Sequence, residues 1–172
     1  MYQFGCGVEK DGKKAFEWHL NAAELGERGS QTTVAFAYYQ GEWVPKDDAN
    51  AFYWFKKSAE QGLNYDLLGT FYYHGIGTVR NNEKAFENFI KAHQISPKNA
   101  KLQEQLAIMY ELGQGTTADP HRAFHLYRQA ADQGKAYSQY RLAHFYHTGK
   151  VVSQNLDMAD AYYRLACKVL QC

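Results

Sequence analysis

The sequence predicts an all-α solenoid of about nine helices, built from stacked antiparallel helix pairs. Three observations support this prediction: a recurring Tyr-x-x-Gly motif, a recurring Ala and a constant distance between them. The motif occurs at Tyr2/Gly5, Tyr38/Gly41, Tyr72/Gly75, Tyr110/Gly113 and Tyr146/Gly149. An Ala follows 13 residues after each Tyr, at Ala15, Ala51, Ala85, Ala123 and Ala159. Successive motif Tyr residues are 36, 34, 38 and 36 residues apart, a period typical of helical repeats.

The second helix of each repeat is predicted around the recurring Ala. Asp47, four residues before Ala51, is a suitable N-cap because its carboxylate can accept hydrogen bonds from the free N–H groups of the first turn. The same position holds Asp11, Asn81, Asp119 and Asn155. Large residues three and four positions after the Ala share a face with small residues seven and eight positions after it. The large residues are Trp18, Trp54, Phe55, Phe89, Leu126, Tyr127, Tyr162 and Tyr163.

The first helix of each repeat is predicted to end at the Tyr-x-x-Gly motif. The motif Tyr follows a large residue by four positions and a small one by three, a stripe that suits close packing of antiparallel helices. The predicted helices are 11–25, 29–40, 47–61, 63–74, 81–94, 98–112, 119–133, 135–148 and 155–170. We expect one domain over 1–172, with a half-repeat at 1–26 and repeats at 27–62, 63–96, 97–134 and 135–172.

These residues resemble the Sel1-like repeats, a family related to the tetratricopeptide repeats. The resemblance rests on Leu68-Gly69-x-x-Tyr72-x-x-Gly75-x-Gly77, on Asp47 to Gly62 and on Ala123 to Gly134. The chain departs from the family pattern at Ser96-Pro97, and at Trp43 and Val151, where a second loop Gly is expected. The resemblance implies a right-handed α/α superhelix that acts as a scaffold or adaptor, with the first helix of each repeat lining the concave face.

Composition agrees with a protein-binding array. The 172 residues carry 19 basic and 18 acidic side chains, so the net charge of +1 indicates neither nucleic acid nor anionic lipid as a partner. No apolar run approaches the ~20 residues of a membrane span, and the chain shows no signal peptide. The first residues resemble the closing half of a repeat, so either a truncated start or a native capping half-repeat is expected.

Three cysteines, Cys6, Cys167 and Cys172, are scattered and odd in number. Free thiols are therefore expected, which favours a reducing compartment such as the cytoplasm. A periplasmic or secreted location stays open if a signal peptide has been removed upstream. Cys167 is interpreted as a small buried core residue.

Two further patterns suggest chemistry but have simpler interpretations. The Gly-x-Gly segments at Gly5, Gly75 and Gly113 follow helices, so they are read as turns and not as phosphate loops. His121 and His125 are spaced i, i+4, and His144 and His147 i, i+3. The four histidines could gather at one edge of the array, but no Cys or carboxylate completes a zinc motif. We expect no catalytic residue, metal or cofactor.

The partner is expected on the first-helix face opposite the packing stripe. Aromatic residues there are the side chains most often enriched in binding hot spots. The predicted binding residues are Phe36, Tyr39, Asp66, Tyr73, His74, Glu104, Glu111, Tyr137, Tyr140, His144 and His147. A peptide or helix with aliphatic anchors and a few basic groups would suit this surface. The alternative for Tyr39 and Tyr73 is packing between adjacent helices.

The sequence therefore predicts a non-enzymatic protein-interaction scaffold or adaptor. A dedicated inhibitor or immunity-type partner of one protein is the alternative within binding functions. A small metal-dependent hydrolase that uses the histidines is the alternative from another class. A spacer role inside a longer protein also fits the sequence. Homodimerisation through exposed apolar end helices is left open.

Overall fold

The computed structural model describes residues 11–170, with side chains as far as Lys168. Within these residues the regular structure is entirely α-helical, and each helix lies within two residues of its predicted bounds. The helices are α1 Gly12–Glu24, α2 Arg28–Gln40, α3 Asp48–Glu60, α4 Tyr65–His74, α5 Asn82–Ile95, α6 Ala100–Leu112, α7 Pro120–Asp132, α8 Ala136–Thr148 and α9 Leu156–Leu170. The predicted all-α repeat is confirmed. The first motif, Tyr2/Gly5, lies outside the described residues.

The second helices begin at the predicted cap residues. The Asp47 carboxylate accepts a hydrogen bond of 2.9 Å from the backbone N–H of Asn50. Because this bond favours the ionised form, it lowers the pKa of Asp47. The corresponding bonds, between 2.8 and 3.1 Å long, are accepted by Asp11, Asn81, Asp119 and Asn155. Five helix starts therefore use one capping arrangement.

The first helices end in the predicted turn. The motif glycines Gly41, Gly75, Gly113 and Gly149 have left-handed φ values of 65° to 71°, which glycine adopts without the steric cost of a Cβ. The following cap residue then donates its backbone N–H to the carbonyl oxygen of the motif Tyr, nine residues earlier. This Tyr–cap hydrogen bond is 2.8 to 2.9 Å long in Asp47→Tyr38, Asn81→Tyr72, Asp119→Tyr110 and Asn155→Tyr146.

The helices form two compact units that divide within α5, one ending at Ala85 and the other beginning at Phe86. In unit 1, α2 packs against α1 and α3, and α3 packs against α4. Its core is built around Phe16, Val34, Trp54, Phe55 and Phe71. In unit 2, α7 packs against α6 and α8, and α8 packs against α9. Its core is built around Tyr110, Phe124, Tyr127, Leu142 and Phe145.

Buried glutamines link the two helices of a repeat at the end opposite their connecting loop. In unit 1, Gln61 donates from Nε2 to Gln31 Oε1 at 2.8 Å and to the Gly26 carbonyl at 3.0 Å. In unit 2, Gln133 donates in the same way to Gln103 Oε1 at 2.7 Å. Gln31 and Gln103 are buried, so these bonds satisfy amide groups that would otherwise be costly to desolvate.

Trp43 stands in the loop after α2, where the family pattern has a second Gly, and its large side chain packs on a small residue, Gly12. Trp43 has a φ of 69°, close to the 63° of Gly77 at the same position of the next repeat. The Trp43 indole covers Gly12, where an added Cβ would lie 2.9 Å from indole Nε1. Gly77 instead lies directly against the backbone of Asp48, which occupies the position of Gly12 in the following repeat. In the first pair the loop residue is large and the helix-start residue is glycine; in the second pair the loop residue is glycine and the helix-start residue is Asp48.

Two expectations about individual residues were wrong. Trp18 was assigned to the apolar stripe, but it is 68% exposed, whereas Trp54 at the same position of α3 is 7% exposed. Trp54 packs in a core cluster that includes Leu20 and Ala23 of α1, while no preceding second helix lies against Trp18 among residues 11–170. Cys167 was expected to be a free thiol in the core. It is half-buried and disulfide-bonded, and Cys6 and Cys172 lie outside the described residues.

The close approach at Gly77 leads to a stability prediction. We expect Gly77→Ala to destabilise the protein by about 2–5 kcal/mol, because the added Cβ meets the Asp48 carbonyl oxygen at a left-handed φ. Gly62→Ala is the matched control, since its φ of 86° imposes a similar backbone cost but no atom lies within 4 Å of the added Cβ. Urea unfolding measures both. Equal losses in the two variants would show that the contact with Asp48 costs nothing.

Candidate protein-binding surface

Side-chain hydrogen bonds join the first helices of consecutive repeats. In unit 2, the Glu104 carboxylate on α6 accepts hydrogen bonds from Ser138 on α8, at 2.7 Å from Oγ and 3.2 Å from the backbone N–H. In unit 1, Asn64 donates to Thr32 Oγ1 at 2.7 Å. Thr32 and Glu104 lie six residues before their motif Tyr, and Asn64 and Ser138 lie eight before theirs. The same register therefore joins α2 to the start of α4, and α6 to α8.

Glu111, which like Glu104 was predicted to bind a partner, is engaged inside unit 2. Glu111 on α6 forms an ion pair with Arg141 on α8, and its side chain is only 15% exposed. The other carboxylate oxygen accepts a hydrogen bond of 2.9 Å from the hydroxyl of Tyr127 on α7. Tyr127 is fully buried. Burial first, and then the negative charge of Glu111, raise the pKa of Tyr127 above its ordinary value of 10.0.

The predicted binding residues that remain accessible in unit 2 form a row along α8. Tyr137 and Tyr140 are 45% and 47% exposed, and His144 and His147 are also exposed. Their spacing of i, i+3, i+7 and i+10 places all four along one side of the helix. The Tyr140 ring lies 5.8 Å from the Tyr163 ring on α9. We call these four residues the α8 row.

The predicted residues of unit 1 divide between packing and exposure. Phe36 packs edge-on against Phe55, with ring centroids 5.1 Å apart, so most of it serves the core. Tyr39 leans on Phe71 at 5.3 Å but remains 36% exposed. Tyr73 is half-buried, while Asp66 and His74 are exposed. Arg80 covers the Tyr73 ring at 5.5 Å.

Unit 1 also contains a cleft that was not predicted. It has a volume of about 570 Å³ and is lined mainly by α1 and α3, together with Gln31 and Tyr38 of α2. Tyr53 and Trp54 form an aromatic wall, and Glu24 and Lys57 contribute charges. Tyr53 is 48% exposed. The feature of the sequence that could have indicated this cleft is Tyr53. It is aromatic at a repeat position where α1 carries Glu17 and α7 carries His125.

The histidines do not form a metal centre in the described part of the chain. His121 and His125 are exposed on α7, and His144 and His147 are exposed on α8. Residues 11–170 contain no group of three or more His, Cys, Asp or Glu side chains arranged to hold a metal ion. Nor does any helix within that range have the length and apolar character needed to cross a membrane.

Repeated helix pairs with shared capping, turn and cross-linking bonds define a helical repeat protein. The chain belongs to the Sel1 repeat family, whose model matches residues 1–27, 30–63, 66–92, 100–135 and 136–168. A protective antigen of uropathogenic Escherichia coli, whose crystal structure displays an SLR fold, is 31% identical and superposes with a TM-score of 0.82. That superposition covers 98% of this chain and 36% of the antigen. The fold is therefore that of the Sel1-type helical-repeat solenoids.

Two curated relatives carry names of regulators. Chitin synthase regulatory factor 3 of Schizosaccharomyces pombe is 30% identical over 149 residues, which cover 83% of this chain and 16% of that protein. An exopolysaccharide production negative regulator of Rhizobium leguminosarum is 29% identical over 154 residues, covering 78% of this chain and 56% of the regulator. The chain spans less than two thirds of the length of either relative.

The buried Tyr127 hydroxyl leads to a prediction about alkaline pH. In the unfolded chain Tyr127 ionises near its ordinary pKa of 10.0, whereas the folded protein keeps it neutral. The stabilising contribution is therefore present below pH 10 and falls as the pH rises above that value. The loss approaches about 1.4 kcal/mol per pH unit. We expect Tyr127→Phe to lose stability less steeply than the wild type between pH 9 and 11.

Denaturant unfolding at several pH values measures the difference between the two slopes. Tyr140→Phe, which removes a hydroxyl from a Tyr that is 47% exposed, serves as the control and should follow the wild type. Parallel curves for the wild type and Tyr127→Phe would contradict the prediction. At pH 9 the Tyr127→Phe variant should already be less stable by about 1.5–3 kcal/mol, because the hydrogen bond to the Glu111 carboxylate is lost.

Proposed function

We propose that this chain is a protein-interaction module without catalytic activity of its own, and that the α8 row binds a protein or peptide partner. The observation that carries the proposal is the exposure of Tyr137, Tyr140, His144 and His147 along one side of α8. Tyr side chains bring a large contact area with few rotatable bonds, so they lose little entropy on binding. A near-neutral chain of net charge +1 favours a protein over a nucleic acid as the partner.

The support beneath the α8 row favours binding without rearrangement. Glu104 ties α6 to Ser138, directly between Tyr137 and Tyr140 on α8. Arg141, one residue beyond Tyr140, is joined to Glu111. A surface that is already ordered loses less entropy when a partner binds. Since both glutamates are engaged within unit 2, aromatic and imidazole groups dominate the proposed contact, and we no longer expect basic groups of the partner to be paired there.

In unit 1, a second contact surface is proposed from Tyr39, Asp66, Tyr73 and His74. Asp66 and His74 are exposed, and Tyr39 presents about a third of its surface. Phe36 contributes less, because its ring packs against Phe55. Asp66 gives this surface an acidic side chain, so basic groups of a partner suit unit 1 better than unit 2.

The names of the two curated relatives support a regulatory role. One is named a regulatory factor of chitin synthase and the other a negative regulator of exopolysaccharide production. An adaptor would bind several partners through this surface, whereas a dedicated inhibitor would bind one partner tightly. The number and stoichiometry of bound proteins distinguish these two forms of the proposal.

Affinity capture with matched variants tests the proposal. The baits are the wild type, Tyr137→Ala/Tyr140→Ala and Tyr53→Ala. Tyr53 lies on α3 and is 48% exposed, close to the 47% of Tyr140, so it controls for the loss of an exposed Tyr elsewhere. We expect a partner that is retained by the wild type and Tyr53→Ala but is bound at least about 30-fold more weakly by the double variant.

The partner found in this way is then titrated against each purified bait, after circular dichroism has shown that all three are folded. Equal affinity for the wild type and the double variant would contradict the α8 row as the binding site. A stoichiometric complex with a single protein would favour the inhibitor, and several weaker complexes would favour the adaptor.

A further inference from the structure

The last helix carries an apolar stripe on its outward side. Met158 and Leu165 of α9 are 37% and 48% exposed, and Ala161 between them is also exposed. Their spacing of i, i+3 and i+7 is the one with which a helix presents a narrow seam to another helix. Tyr162 packs against the core of unit 2 instead, and Ala159 and Ala166 are buried. The stripe is therefore separate from the packing face of α9.

In the remaining second helices the same three positions hold polar or charged residues, with Tyr53 of α3 as the exception. They hold Lys14, Glu17 and Asn21 in α1; Asn50, Tyr53 and Lys57 in α3; Lys84, Glu87 and Lys91 in α5; and Arg122, His125 and Gln129 in α7. The repeat fold thus accepts polar residues there, and packing within the unit does not explain the apolar residues of α9. A contiguous apolar seam at a position that is otherwise polar indicates a contact with another molecule.

The charges that flank the stripe are arranged for pairing with an identical helix. Asp157 lies in the first turn of α9 and Lys168 in its last turn, while Asp160 and Arg164 between them form an ion pair of 2.7 Å within the helix. All four side chains are exposed. If two copies of α9 lie antiparallel about a two-fold axis, the acidic first turn of each helix faces the basic last turn of the other. A two-fold interface needs this self-complementarity.

We propose that α9 is the interface of a homodimer in which two copies of the helix cross antiparallel at Ala161. Met158 of one copy then packs against Leu165 of the other, since the two residues lie three before and four after Ala161. Asp157 lies four residues before Ala161 and Lys168 lies seven after it. The long Lys168 side chain of one copy spans this offset of about 4.5 Å along the helix and reaches Asp157 of the other copy. The small side chain at the crossing allows the two helix axes to come close together.

The size of the surface sets the expected strength of the dimer. A helix of 15 residues is about 22 Å long, and one side of it buries less than the roughly 800 Å² per partner of a standard interface. The dimer is therefore weak and depends on concentration. The α8 row lies on a different helix, so this inference does not rest on the proposed function.

Sedimentation equilibrium of the full chain over a range of concentrations tests the inference. We expect the wild-type mass to rise from 19.7 kDa towards twice that value as the concentration increases. Met158→Arg/Leu165→Gln introduces the residues that α7 carries at the same positions. It should raise the dissociation constant on the order of 100-fold, because four apolar side chains per dimer lose their burial. Leu112→Gln, a matched control on α6 that is 61% exposed, should dimerise like the wild type.

A charge exchange tests the antiparallel arrangement separately. Lys168→Asp alone and Asp157→Lys alone should each weaken the dimer, because each places like charges opposite one another. Asp157→Lys/Lys168→Asp restores opposite signs and should recover most of the association. A wild type that stays at 19.7 kDa up to about 1 mM overturns the proposal. A dimer unaffected by Met158→Arg/Leu165→Gln, or a charge exchange that fails to recover it, overturns the proposal as well.

Discussion

The architecture depends on the Tyr–cap hydrogen bond, which closes the loop between the two helices of a repeat. In each of four loops, the N–H of the cap residue donates to the carbonyl oxygen of the motif Tyr, nine residues earlier. The cap residue therefore has two roles: its backbone N–H closes the loop, and its side chain caps the next helix. Asp47, for example, caps α3 by accepting a hydrogen bond from the backbone N–H of Asn50. A loop of one length places each second helix at the same point relative to the first, so every repeat can offer the same face to its neighbour.

The links between consecutive first helices determine which side chains remain for a partner. They use Thr32 and Asn64 in unit 1, but Glu104, Ser138, Glu111 and Arg141 in unit 2. A carboxylate that already accepts hydrogen bonds from its own fold offers less to a ligand than its exposure suggests. The surface of unit 2 therefore offers a partner fewer free carboxylates than its sequence implies, and most of the side chains it does offer are aromatic or imidazole groups.

Helix bounds and caps could be predicted from the sequence because they depend on local features that recur at fixed offsets, such as the Asp, Tyr and Gly of each loop. The state of individual side chains could not, since it depends on neighbours far away in the chain. Glu111 meets Arg141 thirty residues later. Trp18 and Trp54 occupy the same repeat position, yet only Trp54 is covered. The buried Gln31 and Gln103 recur at one offset, and that recurrence was the available signal for their role.

The exchange of bulk between loop and helix has a consequence for how such an array can change over time. Gly12 accommodates Trp43, and Gly77 accommodates the backbone at Asp48. Each of these repeats is therefore matched to the particular neighbour that precedes it, although all share one framework. Duplicating or reordering repeats by recombination would bring a Trp-bearing loop against a helix start that has no room for it. The order of these repeats is thus constrained by the fit at each junction, and enlarging the residue on one side of a junction requires a smaller residue on the other.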